Sequence, residues 1–179
     1  SKWTPPMSSS WTAVNIHPTS SLFIDTPGAL YLSGNASTSN RLRCVVRSTP
    51  STPYTITFKC KSVTGLATTT PATAQFGTVW RESSTGRLVV SSIYNSTANS
   101  PAGTRATSAK WNDAESFNAN YNDLWTWLTC ADTLWFKVSD DGSTRRASYG
   151  TDGVNFMELH ATSSTDFLTP NQVGFFVRG

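Results

Sequence analysis

Between Lys110 and Cys130, aromatic side chains interleave with asparagines: Trp111, Phe117, Tyr121, Trp125 and Trp127 against Asn112, Asn118, Asn120 and Asn122. Aromatic planes stack on the C–H faces of pyranose rings, and Asn and Asp hydrogen-bond sugar hydroxyls, so the mixture suits glycan contact. The candidate ligand residues, for a glycan or a partner surface, are Trp111, Asn112, Asn118, Tyr121 and Trp125. The competing reading makes the tryptophans core anchors beneath a long loop. In Leu124-Trp125-Thr126-Trp127-Leu128, alternation sets the two indoles on one face and the leucines on the other.

Acid–base chemistry is poorly supplied. Retaining glycoside hydrolysis needs two carboxyls about 5–5.5 Å apart, a spacing that alternate residues of one strand provide. The chain has three glutamates, Glu82, Glu115 and Glu158, and no E-x-D-x-E series. Glu82 reads as a partner for Arg81 or Arg87. His17 and His160 lie far apart, and no G-x-S-x-G elbow accompanies them. Cys44, Cys60 and Cys130 match no C-x-x-C metal pattern. Cys44 and Cys60 fall in neighbouring expected strands, so a disulfide between them is geometrically open, but three small buried thiols account for the pattern as well. No catalytic residue and no transition-metal site is expected.

The elements that position these residues are short β runs. Expected strands cover Leu22–Asp25, Ala29–Ser33, Arg41–Ser48, Tyr54–Ser62, Ala74–Glu82, Leu88–Asn95 and Thr104–Trp111. Further strands cover Thr133–Ser139, Arg145–Tyr149, Asn155–Ala161 and Gln172–Arg178. In Tyr54–Lys61, Tyr, Ile, Phe and Cys alternate with Thr, Thr, Lys and Lys, a period of two with one face buried. Asp141-Gly142 and Asp152-Gly153 mark hairpin turns, and Ser83-Ser84-Thr85-Gly86 marks a third. The stretch Asp113–Leu128 reads as a loop with aromatic anchors. The fold class is therefore all-β, a two-sheet antiparallel β-sandwich at residues 11–179 behind an arm at residues 1–10.

Composition narrows the partners. Charged residues make up 14% of the chain, against about a quarter in ordinary domains. Serine and threonine fill about three positions in ten. The net charge of +3 is spread out, with Arg145-Arg146 the one basic doublet, so nucleic acid is not an expected partner. No apolar run reaches about 18 residues, so no membrane insertion is expected, and the opening Ser1-Lys2-Trp3-Thr4-Pro5-Pro6 lacks the apolar region of a signal peptide. Asn35-Ala36-Ser37 and Asn95-Ser96-Thr97 are glycan acceptors only for a secreted eukaryotic chain.

Several segments resemble one family, in its order. They are Pro53-Tyr54-Thr55-Ile56-Thr57, Gly77-Thr78-Val79-Trp80-Arg81-Glu82-Ser83-Ser84-Thr85-Gly86-Arg87-Leu88, and Ala109-Lys110-Trp111-Asn112 followed by Ser116-Phe117. Trp135 to Gly142, Ser148 to Phe156 and Asp166 to Phe175 complete the set. Together they resemble the concanavalin A-like (laminin G/glucanase) jelly-roll domains of bacteriophage structural proteins. The resemblance implies a non-enzymatic protein of the virion surface, a capsid decoration or a tail- or head-fibre domain. Its implied partners are other virion proteins, copies of itself and a cell-surface polysaccharide. A free carbohydrate-binding module or secreted lectin is the alternative, and a glycoside hydrolase a further one. Many lectins of this superfamily hold Ca²⁺, and Asp140-Asp141-Gly142, Asn112-Asp113 and Asn118–Asp123 carry suitable oxygens. Calcium needs six to eight of them, so no cofactor is expected.

Overall fold

The computed structural model describes residues 11–16, 21–26, 29–34, 41–61, 73–96, 103–125 and 133–178. The arm at residues 1–10, His17, the Asn35 sequon, Trp127 and Cys130 lie outside them, as do the side chains of Asn95 and Trp125.

Thirteen strands are present: β1 (Thr12–Val14), β2 (Ser21–Thr26), β3 (Ala29–Gly34), β4 (Arg43–Ser48), β5 (Tyr54–Lys61), β6 (Thr73–Arg81) and β7 (Leu88–Ser96), then β8 (Gly103–Asp113), β9 (Ser116–Trp125), β10 (Thr133–Asp140), β11 (Thr144–Gly150), β12 (Met157–Ser163) and β13 (Gln172–Arg178). A seven-stranded sheet runs β1-β4-β13-β6-β7-β8-β9, and a four-stranded sheet runs β12-β11-β10-β5. The β2–β3 hairpin forms a third, small sheet. Every pairing is antiparallel. The chain is an all-β sandwich. Among the described residues no helix is long and apolar enough to cross a membrane.

The two sheets bury their residues differently, and the sequence pattern follows. The four-stranded sheet covers the core with one face only, so β10 alternates strictly between buried and half-exposed positions. Phe58, Leu134, Phe136, Val138, Tyr149 and Leu159 from this sheet pack against Trp80, Val89, Ile93 and Val173 of the larger one. Phe58 meets Phe175 edge-on, with centroids 4.5 Å apart. The central strands of the seven-stranded sheet are buried on both faces. Its second core holds Leu42, Cys44, Val46, Val79, Leu88, Val90, Trp111 and Phe176. Runs such as Leu88-Val89-Val90 are consequently apolar without alternation.

The three turns fall where Gly permits a positive φ: Gly86 (79°), Gly142 (92°) and Gly153 (76°). Asp141 accepts from the backbone N–H of Ser143 and Thr144, and Asp152 from those of Val154 and Asn155. These bonds hold the Asp152 carboxyl down at about 2. The turn carries through Asn155, so β12 starts at Met157 rather than at Asn155.

Three expectations change. The loop reading of Asp113–Leu128 gives way to strand β9, which pairs with β8 from Arg105↔Trp125 to Asp113↔Ser116 through three irregularities in register. Strand β1, three residues long, carried no readable pattern. Cys44 and Cys60 are both free thiols and their strands are not neighbours: β4 belongs to the seven-stranded sheet and β5 to the other. Cys44 also faces the second core while Cys60 packs against the first. Burial pushes each thiol up to about 12, so neither is an activated nucleophile.

Candidate binding surface

The β8–β9 hairpin separates the residues that spacing had grouped. Trp111 is 1% exposed, buried in the second core, and cannot offer its face to a sugar. Tyr121 packs against the opposite, first core. Trp125 pairs through its backbone with Arg105 on the sheet's last strand. Asn112 and Asn118 do come together, with the Asn118 amide donating to Asn112 Oδ1 at 2.9 Å on the exposed tip. The exposed ring there is Phe117, at 43%, which meets the buried Trp111 edge-on at 5.5 Å. Phe117 belongs to the same aromatic series, but one strand's alternation with a register shift decides which ring turns outward.

Beside the tip lies an open cleft of about 480 Å³, lined by residues that include Asn15, Arg81, Asp113, Glu115 and Ser116. Asn15 adopts a left-handed backbone (φ 57°) and donates its amide to Leu42 O at 3.0 Å. Arg81 donates to Gln172 Oε1 at 2.7 Å, and its Nε is buried without a partner. Asp113 and Glu115 are two residues apart, a carboxylate pair that a search for E-x-D-x-E passes over. The turn uses both: Asp113 Oδ1 accepts the Glu115 N–H at 2.8 Å, and Glu115 lies 3.6 Å from Arg41.

A second polar node closes the sandwich near β12. Tyr121 donates its hydroxyl to Asp166, and Thr162 donates to the same carboxylate oxygen at 3.3 Å. Lys110 Nζ lies 3.8 Å from Asp166 and 4.4 Å from the Tyr121 ring centroid. The bond from Tyr121, supported by the Lys110 charge, holds the Asp166 carboxyl below the usual carboxylate range. Burial and the bond to Asp166 push Tyr121 upward, so the shared proton stays on the phenol. Of the Arg145-Arg146 doublet, strand alternation sends one side chain in and one out. Arg145 is 1% exposed, donates to Asp166 O at 2.6 Å and lies over the Trp80 ring, whereas Arg146 pairs with Glu158 at 2.8 Å on the surface.

His160 stacks on Tyr121 with centroids 4.0 Å apart, and its Nε2 is buried without a partner. Burial, then the Arg145 charge, lowers its pKa, so the fold favours the neutral ring. The unfolded chain therefore takes up the proton first as pH falls below about 6.5. Stability is expected to be full above that value and to decline as pH falls through the lower folded pKa. Thermal melts between about pH 7 and pH 5 should show this slope, and His160→Asn should flatten it. An unchanged slope in the variant would assign it elsewhere. Asp166, Glu82, Asp141 and Asp152 are depressed carboxylates, so their contribution is lost only below about pH 4.

Each remaining carboxylate whose side chain is described also has a structural partner. Glu82 accepts from the Thr85 hydroxyl at 2.5 Å and from the Thr169 N–H at 3.2 Å, with the Arg87 charge acting on it without a close ion pair. The arginines turn elsewhere: Arg87 donates to Phe167 O at 3.0 Å. With Asn171 bonded to Ser83, these contacts tie the β6–β7 turn to the segment before β13, joining two of the motifs that carry the family resemblance. Asp140 accepts from the Gly142 N–H at 2.9 Å, and Asp123 pairs with Arg105 at 2.6 Å. Among the described residues, no three of His, Cys, Asp and Glu gather as a metal site would require.

No protein-family model matches this sequence, and no curated protein matches it. Among the solved structures that match, one described as the crystal structure of the GH43 BlXynB protein from Bacillus licheniformis aligns with a TM-score of 0.61 and 18% identity. The alignment covers 97% of this chain and 34% of that one, so the chain spans about a third of that protein's length. At this identity the likeness is one of fold: the chain shares an all-β sandwich with that protein.

Proposed function

We propose that this chain is a non-enzymatic surface module of a bacteriophage virion, a capsid decoration or tail- or head-fibre domain of concanavalin A-like type, that attaches to a glycan. The observation that carries the non-enzymatic part is the engagement of every described carboxylate in a turn, an ion pair or a latch. A retaining or inverting hydrolase needs two such groups free to reach a glycosidic oxygen. The ligand contact assigned to the β8–β9 tip is Phe117 with Asn112 and Asn118, an exposed ring and two exposed amides on adjoining residues of the hairpin. The virion assignment rests on the resemblance of the ordered hairpin motifs and on the weakly charged, hydroxyl-rich composition. In this reading the partners are other virion proteins and copies of the chain, contacted through the arm at residues 1–10.

Mass spectrometry of purified particles should find the protein in stoichiometric copies; its absence would sink the virion assignment. On a glycan array, Phe117→Ala with Asn118→Ala should cut any wild-type signal at least about fivefold while the melting temperature holds. Unchanged binding would clear the tip. A second reading, a carbohydrate-binding module working alongside a glycoside hydrolase, is favoured by the likeness to the GH43 protein, of which this chain covers 34%. Its mark would be glycan binding by a protein found in culture fluid and not on particles.

A further inference from the structure

The outer face of the four-stranded sheet carries a set of cations that the tip does not use. Strict alternation sends Thr55, Thr57, Lys59 and Lys61 of β5 outward, and Trp135 and Lys137 of β10 share that face. Trp135 is paired with Lys59 in register, and Lys137 with Thr57. The three ammonium groups therefore stand in three successive rows, spanning about 13 Å along the strands at roughly 3.3 Å per residue. Two of them rest on aromatic rings: Lys59 Nζ is 5.4 Å from the Trp135 centroid, and Lys137 Nζ is 4.3 Å from that of Phe156. The turn after β11 fixes this platform, because Gly153 packs directly on the Trp135 ring.

Among the described residues, two acidic groups near this face are already engaged. Glu158 is paired with Arg146, and Asp152 accepts three bonds from its own turn. The face is left with a surplus of positive charge, held by rings that do not neutralise it, amid the exposed hydroxyls of Thr55 and Thr57.

We infer that this face binds a carboxylated polysaccharide, one bearing uronate residues. The ammonium groups match carboxylates repeated along a chain, and the threonines match the intervening hydroxyls. A nucleic acid fits less well: its single strands stack bases on open aromatic faces. Here Arg146 is engaged by Glu158, and the Trp135 ring is lined by Gly153 and Lys59. A lipid surface would need a larger apolar group to insert: among the described residues near the β11–β12 turn, Val154 (80% exposed) and Met157 (61% exposed) are the large apolar side chains that project.

Affinity electrophoresis of the intact chain through gels containing polygalacturonate, against neutral dextran, tests the inference. Retardation is expected in polygalacturonate alone, weakening as ionic strength rises to about 0.5 M. The double variant Lys59→Gln/Lys137→Gln, at one exposed and one half-buried position, should raise the apparent Kd at least about tenfold with an unchanged melting temperature, whereas Arg87→Gln, an exposed cation of the β6–β7 turn, should leave it as it is. No retardation, or equal retardation of the double variant, would overturn the inference. So would tighter, Lys59- and Lys137-dependent binding of an oligonucleotide or of anionic phospholipid vesicles.

Discussion

Trp111→Ala is expected to destabilise the fold by about 3–5 kcal/mol, the range for truncating a buried tryptophan. The indole sits opposite Leu88 in the β7–β8 ladder and packs in the second core among Leu88, Val90 and Ala109. Phe117 covers one side of it, and the Arg178 guanidinium lies 5.5 Å from its centroid. The truncation leaves a cavity that paired strands on both sides cannot collapse to fill. Denaturant unfolding should show a lower midpoint with an unchanged m-value. Any ligand affinity, measured on the folded fraction, should stay within about twofold of wild type. A stability loss below about 1 kcal/mol together with abolished binding would make Trp111 a contact residue and contradict its burial.

Gly77→Ala should be nearly as damaging, at about 3 kcal/mol, although it adds a single methyl group. Gly77 lies in β6 between β13 and β7, opposite Phe176 and Ser92. A Cβ there would strike the Ser91 carbonyl oxygen and come within 2.6 Å of Ser92 Cα. Both are backbone atoms of β7, which β8 holds from its other side, so the clash cannot be relieved by turning a side chain. Denaturant curves measure the loss, with the exposed Thr57→Ala as a control expected within about 0.5 kcal/mol of wild type. A Gly77→Ala protein as stable as the control would contradict the close approach of β6 and β7.

Eleven of the strands were readable, and the clearest of them obey one of two rules. β5 and β10 cover a core with one face and alternate; β7 and β13 are buried on both faces and read as apolar runs bounded by turns. The Gly-containing turns were legible for a local reason, since a positive φ and an Asp carboxylate close to its own backbone need no distant partner. β9 was not legible. Its asparagines disfavour a strand by propensity, and pairing with β8 on the sheet's last position overrides them. The site suffered from the same limit. Trp111 and Tyr121 look alike in the sequence, yet irregular register places them in opposite cores. Asp166, Tyr121 and Arg145 meet only through tertiary packing, and no spacing announces them. The Asp113–Glu115 pair stands in the sequence as a D-x-E spacing and was overlooked among the glutamates.

The central claim is that the carboxylates serve the scaffold and the chain binds without turnover. Release of reducing ends from a panel of plant and bacterial polysaccharides, xylan and arabinoxylan included, tests it most directly. The account predicts no release above buffer at micromolar protein over a day. Release abolished by Asp113→Asn or Glu115→Gln in a folded variant would contradict it, and would make the cleft beside the β8–β9 tip an active site.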